Sequence, residues 1–501
     1  MNTPNNRRTS ASVRSPCAAL AVSALTLLAS AAAEAATVGP SFFGISVSEC
    51  FVGRCFLPPD TMGAVGTTQF VDITNGAVGV FDKATANRTQ YISDIQFWAN
   101  AGQSGTNGDS RILFDAQSQR WIATSFGASV SDIQIAVSDT ANASGTWKST
   151  KILNIAPLAD FPTLGMDASG VYIGTNNFNA AGNAFLGTSL IVIPKSDLFS
   201  ATPTAANRTT FNTPFPGVDQ TRGFSIQGVN NPNAASGSPG HIIASDLSFS
   251  NFNRYDITNS PVAGGATRGA TTNVTVTTLS NTALNLGNPL GRQPNGTRII
   301  DTSDYRISAN AWEQNGRIYS VRTVGGTMVN PNADFTSVRW VVLNANTNAV
   351  IQEGEIAGGG GFDYYQGSLA VNKFGQVVLG FNRSGDASTG NAGKISFMAR
   401  AFNSNATGAL VQEGSDLLLK QSNAYYTGTR WGDYSAVTLD PTNDESFWAI
   451  GEYVEGANNV ASNNWATWVS EVHFAAAIPE PGSYALMGLG LLAVGAVRRR
   501  R

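Results

Sequence analysis

One repeated unit constrains the fold of this chain more than any other feature of its sequence. The unit is an acidic residue, a strand-like segment of alternating polar and apolar residues, a turn, and a second strand that carries an aromatic residue. Copies begin at Asp60, Asp109, Asp160, Asp219, Asp304 and Asp433, and a seventh has Gln366 in the acidic place. Alternation with period two, bounded by turns of Gly, Asn and Asp, predicts β-strands throughout.

The spacing of these copies favours a closed, repetitive architecture. Successive starts lie 49, 51, 59, 85, 62 and 67 residues apart, which suits four-stranded blades of roughly 40 to 50 residues plus loops. The sequence therefore predicts an all-β fold, a β-propeller of seven blades over residues 58–474. The longest interval contains residues 259–294, which are rich in Gly, Ala, Thr and Asn. We expect them to be an inserted loop or an extra edge hairpin, whose deletion should spare the fold.

Both ends of the chain carry patterns typical of export. Arg7, Arg8 and Arg14 precede an apolar stretch and small residues suited to cleavage, so residues 1–35 are predicted to be a secretory signal peptide. At the other end an apolar run over 484–497 lies between two motifs. A helix over this run would be roughly 21 Å long, shorter than a hydrocarbon core of about 30 Å. The motifs on either side are Pro479, Glu480 and Pro481 before the run, and Arg498, Arg499, Arg500 and Arg501 after it.

This order of motif, short hydrophobic helix and basic end, over residues 478–501, resembles the PEP-CTERM sorting signal of exported bacterial proteins. The resemblance implies secretion, recognition and removal of the tail by an exosortase, and transient contact of the helix with a membrane. It also implies a place in the cell envelope or on the extracellular surface of a Gram-negative-type bacterium, often one that secretes exopolysaccharide. The alternative is an ordinary C-terminal anchor that stays in the membrane as a transmembrane helix.

Charge and composition exclude several classes of function. The chain has 31 basic and 34 acidic residues. Without both predicted signals it is about eight charges negative, which argues against a nucleic-acid partner. Only His241 and His473 are available for triads or zinc centres, and we predict neither a metal nor a cofactor. In an N-terminal extension, residues 36–57, Cys50 and Cys55 are expected to form a disulfide loop, the alternative being a free pair or half of a metal site.

Three segments resemble those of a family of exported bacterial β-propellers that are distantly like sialidases. They are Pro58-Pro59-Asp60-Thr61-Met62-Gly63-Ala64-Val65-Gly66, Asp160-Phe161-Pro162-Thr163-Leu164-Gly165 and Arg430-Trp431-Gly432-Asp433-Tyr434-Ser435-Ala436. The resemblance implies a propeller fold more firmly than an activity.

The acidic starts of the repeat are the candidate binding residues. If each begins an inner strand, Asp60, Asp109, Asp160, Asp219, Asp304 and Asp433 stand around one end of the central channel. Such a ring could bind a cation or sugar hydroxyls; alternatively, each aspartate accepts hydrogen bonds from backbone N–H groups in its own turn.

Other side chains are candidates for a glycan-cleaving site. Arg111, Arg222 and Arg306 could converge on a substrate carboxylate, as sialidase arginines do, or pair with neighbouring aspartates. Tyr434 with Glu452 or Glu313 could supply a nucleophile and an acid. Five aromatic residues could stack on sugar faces or pack between blades, namely Tyr364, Tyr365, Tyr425, Tyr426 and Trp431.

The leading hypothesis is a non-enzymatic, surface-sorted propeller that contacts extracellular polysaccharide, envelope proteins or cations. The alternative is a secreted, sialidase-like hydrolase that cleaves glycans. Convergence of the three arginines with a Tyr–Glu pair in one pocket would favour the hydrolase, whereas scattered arginines would argue against it.

Overall fold

The computed structural model of the protein describes residues 1, 35–54, 56–105, 107–212, 221–277, 287–359 and 361–474. The compact unit that carries the fold is Ala35–Ala476. The predicted signal peptide, apart from Met1 and Ala35, and the predicted sorting signal lie outside the described residues. Within these ranges, no helix combines the length and the hydrophobicity that a membrane crossing requires.

The described strands follow one another along the chain in antiparallel groups, which we name blades 1 to 7. An N-terminal strand comes first, β1 (Thr37–Ser46). Blade 1 comprises β2 (Met62–Val65), β3 (Gln69–Thr74), β4 (Ala77–Asp82) and β5 (Arg88–Ser93). Blade 2 comprises β6 (Gly108–Asp115), β7 (Arg120–Phe126), β8 (Ile133–Ser138) and β9 (Trp147–Ile152). Blade 3 comprises β10 (Leu158–Asp160), β11 (Gly165–Met166), β12 (Gly170–Phe178), β13 (Phe185–Pro194) and β14 (Thr209–Phe211).

The second half of the chain continues the same pattern. Blade 4 comprises β15 (Phe224–Asn230), β16 (Gly240–Ser245), β17 (Phe252–Thr258), β18 (Thr267–Arg268) and β19 (Thr272–Val274), and a hairpin of β20 (Gly291–Arg292) and β21 (Arg298–Ile300) follows it. Blade 5 comprises β22 (Ala311–Gln314), β23 (Arg317–Gly325), β24 (Thr336–Asn344) and β25 (Val350–Ile356). Blade 6 comprises β26 (Phe362–Val371), β27 (Val377–Gly385), β28 (Ser396–Ser404) and β29 (Leu410–Gln421). The last strands are β30 (Tyr425–Tyr426), β31 (Ala436–Leu439), β32 (Ser446–Val454), β33 (Ala461–Ser462) and β34 (Trp465–His473).

Helices are short in the described part of the chain. The α-helices are α1 (Asp94–Asn100) and α2 (Lys195–Leu198), and 3-10 turns occupy Val47–Glu49 and Ala387–Gly393. Ser93 caps α1 by accepting a hydrogen bond from the backbone N–H of Gln96, as an N-cap serine does. Helix α1 buries Phe97 and Trp98 in the core cluster that also contains Phe81 and Trp147.

Blade 7 is closed by the two ends of the fold. Its strand order is β31-β32-β34-β1, so the outermost strand comes from the N-terminus. Strand β1 pairs antiparallel with β34, from Thr37 opposite His473 to Ser46 opposite Ala466. The other described blades use consecutive strands, with the first strand of each nearest the axis. The prediction of an all-β propeller is confirmed by this strand order.

The inner strands pack closely around the axis. Strands β15 and β22 pair in parallel, with Val229 opposite Ala311. Blades 3 and 4 approach backbone to backbone at Gly165 and Gly228, where a Cβ on Gly165 would lie 2.1 Å from the Gly228 carbonyl oxygen. A side chain at this position has no room. Between blades, apolar residues of facing sheets interdigitate, such as Ile135 of blade 2 with Ile173 of blade 3 in one buried cluster.

Two predicted boundaries differ from the structure. The segment 36–57 is not wholly an extension, because β1 lies within blade 7 and the fold begins before residue 58. The segment 259–294 is not wholly a loop, because β18 and β19 pair with β17 and supply the outer edge of blade 4. Its deletion would remove the buried Val274. Edge strands this short carry little of the period-two pattern by which strands are recognised.

Phe42 of β1 tests the closure of the ring. The ring of Phe42 is 6% exposed and stacks on Phe81 at 4.9 Å, with Trp448 of blade 7 at 6.1 Å. Phe42→Ala should lower the free energy of unfolding by about 3–5 kcal/mol, because a buried ring is lost where two blades meet. Urea unfolding of the protein without its signal peptide measures this. The matched control, Val38→Ala on the same strand, is 40% exposed and should cost no more than about 0.5 kcal/mol. Equal costs for the two variants would contradict the closure.

Candidate functional site

A cavity of about 590 Å³ lies where the inner strands of the propeller begin. Aspartates dominate its lining, together with two arginines. The lining residues are Pro58, Asp60, Asp109, Asp160, Gly287, Asp301, Ser303, Asp304, Arg306, Arg430 and Asp433. We call this cavity the acidic pocket.

The acidic pocket brings together most of the carboxylates that the repeat singles out. Five of the six predicted ring residues line it, namely Asp60, Asp109, Asp160, Asp304 and Asp433. The sixth, Asp219, lies outside the described residues. Residues far apart in the sequence thus meet here because each stands at the start of an inner strand.

A repeated backbone conformation places these residues. Asp60 and Asp109 have positive φ values of 50° and 53°, and Ser225 and Gln366 have 49° and 52° in blades 4 and 6. Residues other than glycine seldom adopt this left-handed backbone conformation. A β-bulge accompanies it at Asp109, Ser225 and Gln366, where the register of the inner strand shifts. Blade 4 therefore has Ser225 in the place that the sequence comparison gave to Asp219.

Two of the carboxylates also link neighbouring blades. The backbone N–H of Asp433 donates to Asp60 Oδ1 at 2.9 Å, and the N–H of Phe161 donates to Asp109 Oδ2 at 3.3 Å. Asn75 donates to the other Asp60 oxygen at 2.7 Å. Both backbone donors belong to a neighbouring blade, whereas the alternative interpretation places them in the aspartate's own turn. Capping occupies only part of the acceptor capacity of Asp109, since a carboxylate has several lone-pair sites.

Burial and mutual repulsion shift the titration of the group. Burial, followed by the charges of Asp433 and Asp109, raises the pKa of Asp60 well above its ordinary value. Burial, with repulsion from Asp160 and Asp433, raises the pKa of Asp109 to about 7. Burial also raises the pKa of Asp160 and of Asp433, although Arg306 and Arg430 oppose it. The pocket thus gathers carboxyl groups whose charged forms are disfavoured by burial and by one another.

The arginines occupy one side of the acidic pocket. Arg306 forms a bidentate pair with Asp304, with Nε and Nη2 at 2.7 and 2.8 Å from the two carboxylate oxygens. Burial alone would raise the pKa of Asp304, but the charge and hydrogen bonds of Arg306 outweigh it and the pKa is lowered. Arg430 lies 3.4 Å from both Asp301 and Asp433.

The opposite side has carboxylates without such partners. Among the described residues, no lysine or arginine lies within ion-pair distance of Asp60, Asp109 or Asp160. More distant charges still act on these groups, because Arg306 and Arg430 oppose the burial that raises the pKa of Asp160, and Arg111 opposes the burial that raises the pKa of Asp109.

The three predicted arginines do not converge. Arg306 lines the pocket, but Arg111 is 1% exposed and donates to the carbonyl oxygens of Pro162 at 3.1 Å and Ser308 at 2.7 Å. Arg222 is buried in blade 4 and donates to the carbonyl oxygen of Thr188. Arg306 instead pairs with the neighbouring Asp304, which was the alternative to convergence.

The proposed nucleophile and the two candidate acids each have other partners. Tyr434 is buried and donates to Asp109 Oδ2 at 3.2 Å. The Arg111 guanidinium lies over the Tyr434 ring, with Cζ 3.5 Å from the ring centroid. Glu452 accepts from the Gly432 N–H at 3.1 Å, and burial raises its pKa to about 7. Glu313 is elsewhere, 3.3 Å from His241 Nε2.

The aromatic residues proposed to stack on sugars are mostly buried. Tyr364, Tyr365, Tyr426 and Trp431 belong to the apolar core, so the idea that they form an exposed platform is wrong. Tyr425 is partly buried, with Lys394 Nζ 5.5 Å from its ring centroid. Packing between blades takes the aromatic surface that a ligand would need.

The described residues include one disulfide-bonded cysteine and no grouped set of metal ligands. Cys50 is disulfide-bonded, and Cys55, its predicted partner, lies outside the described residues. In the described ranges, no three His, Cys, Asp or Glu side chains are grouped so that they could hold a metal ion.

Two pocket residues were missed by sequence reasoning. Asp301 and Arg430 lie in loops outside the repeated unit, so the repeat does not point to them. Arg430 stands three residues before Asp433 within a segment that the family resemblance already marked. A second acidic residue, Asp301, shortly before Asp304 was the other available signal.

Comparison with known proteins identifies the tail. Residues 477–501 match the PEP-CTERM protein-sorting motif. No curated protein matches the chain.

Solved structures with a similar fold share little sequence with the chain. A protein of unknown function from Dyadobacter fermentans is 10% identical, over 88% of this chain and 100% of that one, with a TM-score of 0.37. The β-propeller domain of the Trilobed protease from Pyrococcus furiosus is 9% identical, over 83% and 90% of the two chains, with a TM-score of 0.38. A subtype N11 neuraminidase-like protein from a flat-faced bat isolate is 10% identical, over 89% and 97%, with a TM-score of 0.36. These likenesses are too weak to bear on ligand or activity.

The shifted carboxyl groups predict a pH dependence of stability. A carboxyl whose pKa rises on folding binds more protons in the folded state, so its contribution to stability falls as pH rises. For Asp109 this window runs from about 4, the unfolded pKa, to about 7, and the slope is up to about 1.4 kcal/mol for each pH unit. Asp109→Asn should therefore lose less stability than wild type between about pH 4 and about pH 7, as measured by urea unfolding.

Asp304→Asn is the matched control for this prediction. The lowered pKa of Asp304 stabilises the fold above its unfolded pKa and loses that effect as pH falls. This variant should therefore be less stable than wild type near neutral pH. Identical pH slopes for wild type and Asp109→Asn would contradict the assignment.

Proposed function

We propose that this protein is an exported, surface-sorted β-propeller that works by binding rather than by catalysis. In this proposal an exosortase removes the PEP-CTERM tail, and the body binds a positively charged group presented by the extracellular matrix or the envelope. The observation that carries the proposal is the convergence of Asp60, Asp109 and Asp160 in the acidic pocket, without ion-pair partners among the described residues.

The carboxyl groups of the pocket favour a cationic ligand. A cationic group that enters would replace repulsion between carboxylates by attraction, and it would lower the pKa values that burial has raised. The low dielectric of a recessed site strengthens this attraction relative to that of a surface ion pair.

The size of the pocket further restricts the kind of ligand that it can hold. A volume of about 590 Å³ falls within the range of roughly 300 to 1,000 Å³ that small-molecule sites occupy. It fits an amine-bearing unit of a polymer better than a bare ion. The arginines on the other side could receive acidic or hydroxyl groups of the same ligand.

The geometry gives less support to the sialidase-like alternative. That mechanism needs arginines clustered on a substrate carboxylate and a nucleophile within reach of an acid. Here Arg222 lies in another blade, Arg111 is buried beneath the pocket, and Tyr434 donates to Asp109.

A matched pair of oligosaccharides tests the binding proposal. We expect the fully deacetylated β-1,4-linked glucosamine hexamer to bind the protein in calorimetry, and its N-acetylated counterpart to bind much more weakly, because only the former carries ammonium groups. Added salt should weaken the binding. Asp160→Asn should raise the dissociation constant by about tenfold, equivalent to about 1.4 kcal/mol.

Asp334→Asn is the control, because Asp334 is 77% exposed, pairs with Arg298 and does not line the pocket. Equal affinity for the two hexamers would count against the proposal. So would catalytic turnover of acidic-sugar substrates by the protein without its tail, which would favour the hydrolase.

The sorting step has its own test. Replacement of Pro479, Glu480 and Pro481 by alanine should prevent processing, so that the variant keeps its C-terminal arginines in the membrane fraction. Mass spectrometry of the C-terminal peptide measures this, and Ser483→Ala, outside the motif, should be processed like wild type. A surface-bound wild-type protein that still ends in Arg501 would reject processing.

A further inference from the structure

A second cavity, of about 220 Å³, lies at the other end of the inner strands. The acidic pocket is lined by residues that begin these strands, and the second cavity is lined by residues that end them. Its larger apolar lining residues come from five blades and are Val65, Leu113, Phe114, Trp312, Val371 and Leu439. We call it the tryptophan cavity.

Trp312 dominates the apolar surface of this cavity. The residue lies on β22, opposite Asn230 of blade 4 and Tyr319 of blade 5. Its partly buried indole packs against three separate apolar clusters, which contain Leu113, Val371 and Val437. These residues belong to blades 2, 6 and 7, so the indole lies across the axis of the propeller.

The indole N–H is an unused donor. Trp312 Nε1 is buried and has no hydrogen-bond partner among the described residues. Buried indole N–H groups usually find a partner, and an unmade hydrogen bond costs free energy. A ligand oxygen could supply the missing acceptor.

Polar groups surround the apolar lining, and their charges are already paired. Lys373 pairs with Asp444, Lys83 Nζ lies 2.8 Å from Asp440, and His241 lies 3.3 Å from Glu313. The amide of Asn233 donates to Gln314 at 3.0 Å. A strongly charged ligand would therefore find no uncompensated charge here, in contrast to the acidic pocket.

We propose that the tryptophan cavity binds a neutral pyranose unit of a polysaccharide, with the C–H face of the sugar on Trp312. A pyranose combines an apolar face with hydroxyls at its edge, which matches an indole surrounded by amides, carboxylates and an ammonium group. A purely apolar ligand would leave these polar groups without partners. This site is separate from the acidic pocket and does not depend on the function proposed for it.

Affinity electrophoresis of the protein without its two sorting signals tests this proposal. The gels contain dextran, pullulan, konjac glucomannan or galactomannan, all of them neutral polymers. We expect at least one polymer to retard wild type, and Trp312→Leu to weaken that retardation about tenfold in apparent dissociation constant. Trp312→Tyr keeps a smaller aromatic face and should bind with intermediate affinity. An oligosaccharide of the retarding polymer should compete, whereas the free monosaccharide should compete weakly, because the unit recognised belongs to a chain.

Phe374→Leu is the matched control, because Phe374 is 53% exposed, adjoins Lys373 and does not line the cavity. It should bind like wild type, and so should Asp160→Asn, which alters only the acidic pocket. If Trp312→Leu unfolds at a lower urea concentration than wild type, Trp312→Tyr replaces it in the comparison. A ligand-induced change in tryptophan fluorescence should then be seen in wild type and be absent from Trp312→Tyr. Absence of retardation in every polymer would overturn the proposal. Undiminished retardation of both Trp312 variants would overturn it equally.

Discussion

The buried guanidinium of Arg111 is the interaction on which the centre of the propeller depends. Arg111 extends from blade 2, donates to carbonyl oxygens of Pro162 and Ser308, and lies on the ring of Tyr434. It therefore joins the inner segments of blades 2, 3, 5 and 7. Burying a charge is costly unless it is hydrogen-bonded, and carbonyl acceptors together with an aromatic face provide part of that compensation. Arg111 lines neither the acidic pocket nor the tryptophan cavity, and these two cavities share no lining residue.

The carboxylates above Arg111 combine a structural role with the chemistry proposed for the pocket. Asp60 and Asp109 accept backbone N–H groups from the neighbouring blade, and these bonds offset part of the repulsion between their charges. The remaining repulsion appears as raised pKa values for both residues. Mutations of these aspartates therefore affect both stability and binding, and Asp160, which makes no such bond to another blade among the described residues, separates the two effects better.

The start of an inner strand could be predicted from the sequence where the same backbone conformation recurs in several blades. The positive φ and the bulge recur, so the starts at Asp60, Asp109 and Gln366 could be aligned from the pattern of strands alone. The alignment pointed to Asp219 in blade 4, where the structure has Ser225, because bulge geometry depends on the backbone and leaves little trace in residue type. The convergence of Arg111, Arg222 and Arg306 could not be judged, since the direction of a long side chain follows from packing. Asp301 and Arg430 lie in loops, whose course a strand repeat does not determine.

Closure of the ring also bears on export. Strand β1 starts at Thr37, directly after the predicted signal peptide, and pairs with β34, which ends at His473, four residues before the matched sorting motif. Blade 7 therefore cannot be completed until almost the whole chain is available, and contacts this distant in sequence form slowly. A chain that crosses the membrane from its N-terminus should thus remain open during passage and close only outside. This order of events agrees with the predicted secretory signal peptide, and the segment before residue 58 belongs to the fold although it lacks the repeat.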